Sequence, residues 1–487
     1  MSEKICVFDV GTTGARTVIF DLNGREIIKA YEEYPVVEQP VGISEQDPII
    51  WWNAVKNTCN RVVKSGIVNP NEIIGIVGTS QRGTSTLIDN NGEVLHPALT
   101  WMDEREVTDS KGFQEEGGLR RVIPKILWFK SNKPELYNNA SKIICTDSYI
   151  YMKLCGKCVT DPTNGINGIL NMETLQWDEN LAELYDIPIR LWPELHKSGE
   201  VIGKLSEEAS TALGLKKDIP IILGGGDQQC AALGLGVIND GEAKVTTGTG
   251  TIVDLVFNHP IQPAGDIPIF SFPHVVEGKW VIEGVMPGTG TALKWFKDNF
   301  SQLQIKESED TNTDVYDILS KEAEQVSPGS NGLLFVPLYI FRKGTIHGLS
   351  FNHKRAHMIR AIMESAVLSA QMYLNLIEGI VKVKTTELKV DGGGMNSGFW
   401  AQMFADVLDK KILLPENKDG AALGAAILGF YGLGKYNSIN EAIQKMVRFV
   451  DSKNPNKENT KIYKKLIRIF MPTILEINSN KRVTKNL

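Results

Sequence analysis

Long uncharged apolar runs are missing from this sequence. The longest, residues 420–434, is rich in Gly and Ala and too short to span a bilayer, so it reads as a buried helix and a transmembrane protein is excluded. Cysteine is scarce, with six among 487 residues. Only Cys155 and Cys158 form a CxxC; a zinc site usually draws its four ligands from two such pairs, so the six read as reduced thiols. An excess of positive charge is also missing. The 52 Lys and Arg face 58 Asp and Glu, for a net charge of −6. That argues against nucleic acid as the main partner, because such binding rests on neutralising phosphates. The opening residues, MSEKICVFDVG, lack the charged, apolar and small-residue blocks of a secretion signal and enter a strand at once, so the cytoplasm is the expected compartment.

Several catalytic signatures are absent too. There is no HRD or DFG run and no GxSxG, which sets aside protein kinases and serine hydrolases. Gly429 to Tyr436 matches GxxxxGK, but Tyr stands where a P-loop needs Ser or Thr, and the run follows a helical stretch. His353 and His357, four residues apart near a helix start, read as a solvated face. What remains is ordinary globular composition, 42% hydrophobic and 23% charged, enough for two or three domains.

The pattern along the chain is α/β. Residues 4–10 and 16–22 read as strands around the turn GTTGA, and 26–34 extends the meander. A helix is expected from Asp47 to Lys64, opening on an Asp-Pro cap, then a buried strand over 73–79. The second half repeats the order. Residues 243–257 set a Thr/Gly turn between strands, a helix spans about 355–380, and strand, Gly-rich turn, helix, strand and helix follow to residue 434. This points to two α/β domains of similar topology with a cleft between them, 1–241 and 242–487; two unrelated α/β domains are the alternative. The tail after residue 478 is polar and is expected to fray.

Four turns can carry chemistry. Asp9 to Arg16 (DVGTTGAR) offers glycine backbone, threonine hydroxyls and a guanidinium to an anion, and Asp9 can hold a metal ion through its waters. Residues 246–251 (TTGTGT) form a matching turn, so the pair could clamp one polyphosphate. Gly224 to Gln229 (GGGDQQ) sets Asp227 at a helix start, where it can accept a hydroxyl proton; the plainer reading is an N-cap. Asp391 to Ser397 (DGGGMNS) permits close approach of a nucleotide to a helix.

Taken in order, these segments resemble the FGGY carbohydrate kinases of the actin/hexokinase/Hsp70 ATPase superfamily. Besides the four turns, the resemblance rests on EQDPIIWW (45–52), SQR (80–82), LTWMDER (99–105), GTGTALKWF (288–296) and ALGAAILG (422–429), and it covers almost the whole chain. It implies two ribonuclease-H-like domains around a deep cleft, with an N-terminal sugar-binding and a C-terminal nucleotide-binding domain. It implies ATP and Mg2+ as cofactors and a small sugar or polyol as partner, and leaves a homodimer open. By resemblance, Asp227 is the general base and Asp9 belongs to the magnesium shell. Thr12, Thr13, Gly14 and Arg16 would meet the transferring phosphate. Thr249, Gly290 and Lys294 would line the nucleotide phosphates, and Gly393 and Ser397 the adenosine end. Gln81, Arg82, Trp101, Asp103 and Gln228 fall where the family contacts its acceptor.

The acceptor signals are mixed. Arg16, Gln81-Arg82 and Asp227-Gln228-Gln229 resemble glycerol kinases, yet Gly83 replaces the acidic residue those enzymes carry, and no tyrosine stands near Arg120. Loss of a carboxylate opens space and removes a hydroxyl acceptor, which suits a larger substrate. EQDPIIWW and TWMDER resemble the xylulokinase branch, which has Met-His where Gln81-Arg82 stands. The segment 339–350 is shorter than the family's loop there. The expectation is phosphorylation of a ketopentose such as xylulose, with glycerol as the runner-up. An ATPase or sensor that moves no phosphate to a sugar is the alternative of another class.

Overall fold

The computed structural model describes residues 3–39, 42–105, 120–261, 269–337 and 344–479. The polar tail from 480 and residues 338–343 of the shortened segment lie outside them. Strands of the two large sheets are numbered in chain order. The first sheet holds β1 (Lys4–Val10), β2 (Gly14–Asp21), β3 (Glu26–Glu33), β4 (Ile73–Ser80), β5 (Val201–Lys204) and β6 (Pro220–Gly226), in the order β5-β6-β4-β1-β2-β3. The strands β1, β2 and β3 form an antiparallel meander, while β4 and β6 run parallel to β1.

The second sheet holds β7 (Ala243–Thr247), β8 (Thr251–Phe257), β9 (Ile269–Pro273), β10 (Trp280–Met286), β11 (Glu387–Asp391), β12 (Lys411–Pro415) and β13 (Phe449–Lys453), in the order β9-β10-β8-β7-β11-β12-β13. Here β10, β8 and β7 are antiparallel neighbours, and β11 and β12 run parallel to β7. Both sheets therefore share one core of three antiparallel strands extended by two parallel ones. This is the duplicated ribonuclease-H-like arrangement.

Burial explains the local choices. All seven residues of β1 are buried. Cys6, Phe8 and Val10 pack on one face against Trp51, Val55 and Val62 of α1 (Pro48–Lys64). Ile5 and Val7 pack on the other, so the strand reads as a continuous apolar run. The expected cap of α1 forms, with the Asp47 carboxylate accepting from Ile49 N.

The opposite face of the first sheet is covered from the far end of the chain. Leu423, Ile427 and Phe430 of α6 (Gly420–Gly432) share a core with Ile5, Val18, Val77 and Ile222. The intervening helices include α2 (Asp227–Gly234), α3 (Thr289–Phe300), α4 (Arg355–Val381) and α5 (Gly398–Leu408). Helices α2 and α6 close equivalent positions in the two halves and cross at backbone contact. A Cβ on Gly234 would lie 2.0 Å from the Gly420 carbonyl oxygen, and one on Gly424 would lie 1.8 Å from that of Cys230. The Gly/Ala richness of the longest uncharged run follows from this close approach.

Since backbone cannot yield as a flexible side chain can, Gly424→Ala is expected to destabilise the protein by about 1–3 kcal/mol or more. Thermal unfolding measures it; an unchanged melting temperature would show that the crossing is looser than described.

Candidate functional site

The site is built where strand ends from both sheets meet. Asp227 is the first residue of α2, immediately after β6. Its Oδ1 accepts the Gln228 N–H at 2.8 Å. Burial raises its pKa above the ordinary carboxylate value; Arg82 pulls it back, while Asp9 and Glu283 push it further up. A carboxylate held this way is a better proton acceptor than a free one. The preceding strand is fixed by Thr163, whose Oγ1 accepts the Gly226 N–H at 2.7 Å.

Arg82 joins the halves. Its Nη2 donates to both oxygens of Glu283 on β10, at 2.7 and 3.0 Å, and its Nε lies 3.6 Å from Asp227 Oδ1. Its guanidinium carbon stands 4.4 Å from the Phe272 ring centroid. Burial works against its charge, and Glu283 and Asp227 outweigh burial, so its pKa is raised. Glu283 is directly opposite Asp254 on β8, which is directly opposite Lys244 on β7. Lys244 and Asp254 are fully buried and 2.8 Å apart. Lys244 Nζ also donates to Gln228 Oε1 at 3.0 Å and to Thr246 Oγ1 at 2.9 Å.

A cavity of about 260 Å3 lies beside Asp227, lined by Thr12, Gln81, Arg82, Trp101, Arg121, Gln228 and Glu283 among others. Four of the five residues expected to contact the acceptor are together here. Asp103 is not among the lining residues; its buried carboxylate accepts from Arg105 and from Ser44 N–H. Thr12, expected at the phosphate, lines this same cavity, where its Oγ1 accepts from Trp101 Nε1 at 2.8 Å.

A second cavity, of about 420 Å3, is lined by Thr249, Gly290, Lys294, Gly393 and Ser397, with Asp314, Tyr316 and Trp400. All five residues expected there for the nucleotide are present. The two cavities share Gly248, Thr249 and Thr291. Gly290 is required at this wall, since a Cβ would lie 1.8 Å from the Gly248 carbonyl oxygen.

Thr13, Gly14 and Arg16 are not in either cavity. They line a neighbouring pocket with Asp9, Lys29 and Tyr31. Arg16 donates from Nε to Asp9 Oδ2 at 2.7 Å, and its Nη1 is 3.1 Å from Asp419 Oδ2. Asp9, and then Asp419, hold its pKa above the usual value against burial.

The model of the FGGY family of carbohydrate kinases matches in two parts, its N-terminal domain over residues 4–234 and its C-terminal domain over 243–433. The chain belongs to the FGGY family of carbohydrate kinases. It is 28% identical to a gluconokinase of Bacillus subtilis, over 97% of this chain and 95% of that one. It is 25% identical to a xylulose kinase of the same organism, over 95% of each. A gluconate kinase structure from Lactobacillus acidophilus shares the fold, with a TM-score of 0.85 at 24% identity, over 99% of each chain.

Three members of this FGGY site went unread in the sequence: Lys244, Glu283 and Arg121. For the first two a signal existed. Each is a lone charge inside an apolar strand run (AKVTT and WVIEGVM), which a buried strand tolerates only with a partner. Arg121 gave no such signal.

Replacing Glu283 with Gln removes one negative neighbour of Asp227 and leaves Arg82 to pair with Asp227 more closely. Both changes lower the Asp227 pKa, so the acid limb of the kcat/KM profile should move to lower pH. The broken pair should cost about 3–5 kcal/mol of stability. An unmoved limb in folded protein would show that Asp227 does not govern it.

Proposed function

We propose that this FGGY kinase transfers the γ-phosphoryl group of ATP to a hydroxyl of a sugar or polyol bound beside Asp227. The shared wall of the two cavities is the observation that carries the reading. A triphosphate lying along Gly248, Thr249 and Gly290 would end at this wall, and an acceptor hydroxyl at Asp227 would face it. Phosphoryl transfer asks mainly for alignment and for stabilisation of charge on oxygen. Asp227 would take the hydroxyl proton as the oxygen attacks. Gln81 and Gln228, their amides fixed by Gln46 and Lys244, would orient the acceptor. The backbone N–H groups of the Thr/Gly turn would hold phosphate oxygens.

Mg2+ fits the residues present. The ion usually keeps waters and binds through one or two carboxylates and substrate phosphates. Asp9, next to the last residue of β1, is close enough to influence Asp227, and no cluster of three or more His, Cys, Asp or Glu side chains suited to a metal occurs among the described residues. When bound, the ion would neutralise phosphate charge. Asp9, tethered by Arg16, would hold it through water.

The division into 1–241 and 242–487 serves this reading, with α6 crossing back onto the first sheet. The cytoplasm, which supplies ATP, is the compartment it implies. Relatives named gluconokinase and xylulose kinase stand at nearly equal identity, so identity alone does not choose between the ketopentose read from the sequence and another acceptor. Glycerol is disfavoured by Gly83, which leaves no carboxylate at that position to bind a hydroxyl.

Asp227→Asn should lower turnover by about 10²–10⁴-fold, the range expected of a general base, with ATP affinity unchanged by calorimetry. Full activity in that variant would remove Asp227 from the mechanism. ATP consumption indifferent to any added sugar would favour an ATPase without phosphotransfer.

A further inference from the structure

The strand that delivers Asp227 does not end regularly. Its pairing with β4 runs from Ile222 opposite Val77 to Gly225 opposite Thr79, so β6 carries one more residue than its partner here. An extra residue of this kind bends a strand and reverses the faces its later side chains present. The irregularity falls just before the helix that Asp227 opens. It also presses the two strands together: a Cβ on Gly224 would lie 1.8 Å from the Gly78 carbonyl oxygen.

Side chains hold the backbone through this stretch. Tyr151 Oη accepts the Gly224 N–H at 2.9 Å. Thr79 Oγ1 donates to the Gly225 carbonyl oxygen at 2.8 Å. Thr163 Oγ1 accepts the Gly226 N–H at 2.7 Å, and this last bond is the one adjacent to Asp227.

Thr163 is itself fixed from behind. The Gly226 N–H can only donate, so the single hydroxyl proton of Thr163 must point elsewhere. It goes to Asp161 Oδ2 at 2.7 Å. Asp161 caps the short helical turn Pro162–Gly165 and is fully buried. The same oxygen accepts from the Thr163 N–H at 3.0 Å and from Ser198 Oγ at 2.8 Å. Its Oδ1 accepts from the Asn164 N–H at 3.3 Å and from Asn164 Nδ2 at 2.9 Å. Burial raises the Asp161 pKa, and these donors oppose it. A carboxylate so surrounded cannot turn, and it polarises the Thr163 hydroxyl, which makes that oxygen a stronger acceptor for Gly226. Neither Asp161 nor Thr163 lines the two cavities.

Resting on the reading of Asp227 as proton acceptor, we propose that Asp161 and Thr163 are positioning residues for the transfer: through the Gly226 N–H they fix the end of the bulged strand, and with it the angle at which the Asp227 carboxylate meets the acceptor hydroxyl. Proton transfer needs heavy atoms about 2.6–3.2 Å apart, and a misplacement of about 1 Å can cost about 10²-fold. The three glycines before Asp227 then serve to let the chain bulge, and the buried Asp-Thr pair sets where the bulge points.

A double-mutant cycle tests this, read by ADP release with ATP and whichever of gluconate, D-xylulose, L-ribulose, glycerol and erythritol wild-type protein turns over. Thr163→Val keeps the side-chain shape and removes the hydroxyl. It should lower kcat about 10–100-fold and change KM for either substrate less than about threefold, since no cavity residue is altered. Thr163→Ser keeps the hydroxyl and should recover kcat to within about threefold of wild type. In an Asp227→Asn background, Thr163→Val should cost less than about threefold more, because a residue that acts through Asp227 has nothing left to aim. Ser198→Ala removes one donor from Asp161 and leaves Gly226 bonded, so it serves if Thr163→Val does not fold; it should lower kcat about two- to fivefold with Asp227 present and not in its absence. Equal losses in both backgrounds, a loss confined to KM, or no recovery in Thr163→Ser overturns the positioning role and leaves the kinase standing. Full activity in Asp227→Asn alone overturns the base reading and this inference together.

Discussion

Two carboxylates, Asp254 and Glu283, stand opposite each other on adjacent strands of the second sheet, and both are completely buried. Like charges so placed repel strongly: burial, with Glu283 adding to it, pushes Asp254 up to about 6 against the pull of Lys244 and Arg82. The row is held by a cation at each end. Lys244 closes one end from within the sheet, and Arg82 closes the other from the opposite half of the molecule. The second domain therefore lacks its counter-charge unless the first supplies it. The same Arg82 stands beside Asp227 and lines the cavity next to it, so the contact that joins the halves also sets the charge around Asp227.

Duplication explains why the chemistry gathers there. Each half contributes a three-stranded meander whose first hairpin turn ends at the cleft, and each sets a small-residue helix, α2 or α6, after its last parallel strand. The two helices touch backbone to backbone, which brings the ends of both sheets into register. The turns are not used alike. The second, at Gly248–Gly250, forms the wall between the two cavities. The first turns Thr12 toward Trp101 and Arg16 toward Asp9 and Asp419, so its residues are divided between different pockets.

Much of this was legible from residue order. The strands of the first meander, the hairpin at 243–257, the capped helix at Asp47 and the Gly/Ala helix near 420 follow from period, capping and composition, because these signals are local; the third strand of the second meander (Trp280–Met286) was not read. The five residues that the resemblance assigned to the nucleotide do line one cavity, and glycine is required where Gly290 passes Gly248 and Gly392 passes Thr247. The acceptor side was harder. Asp103 has the residue type of a sugar ligand but is consumed by Arg105 and Ser44. Arg121 lies 38 positions beyond Gly83 in the chain, and only the fold shows that one fills the space the other leaves. Long-range charge pairing across a cleft leaves no periodic trace.

The central claim is that an acceptor hydroxyl meets Asp227 at the wall shared with the nucleotide. A crystal structure with a non-hydrolysable ATP analogue and the acceptor identified by turnover tests it most directly. The account predicts an acceptor oxygen about 2.6–3.2 Å from the Asp227 carboxylate, facing a terminal phosphate held along Gly248 and Thr249. An acceptor seated elsewhere, or a terminal phosphate on the far side of that wall from Asp227, would contradict it.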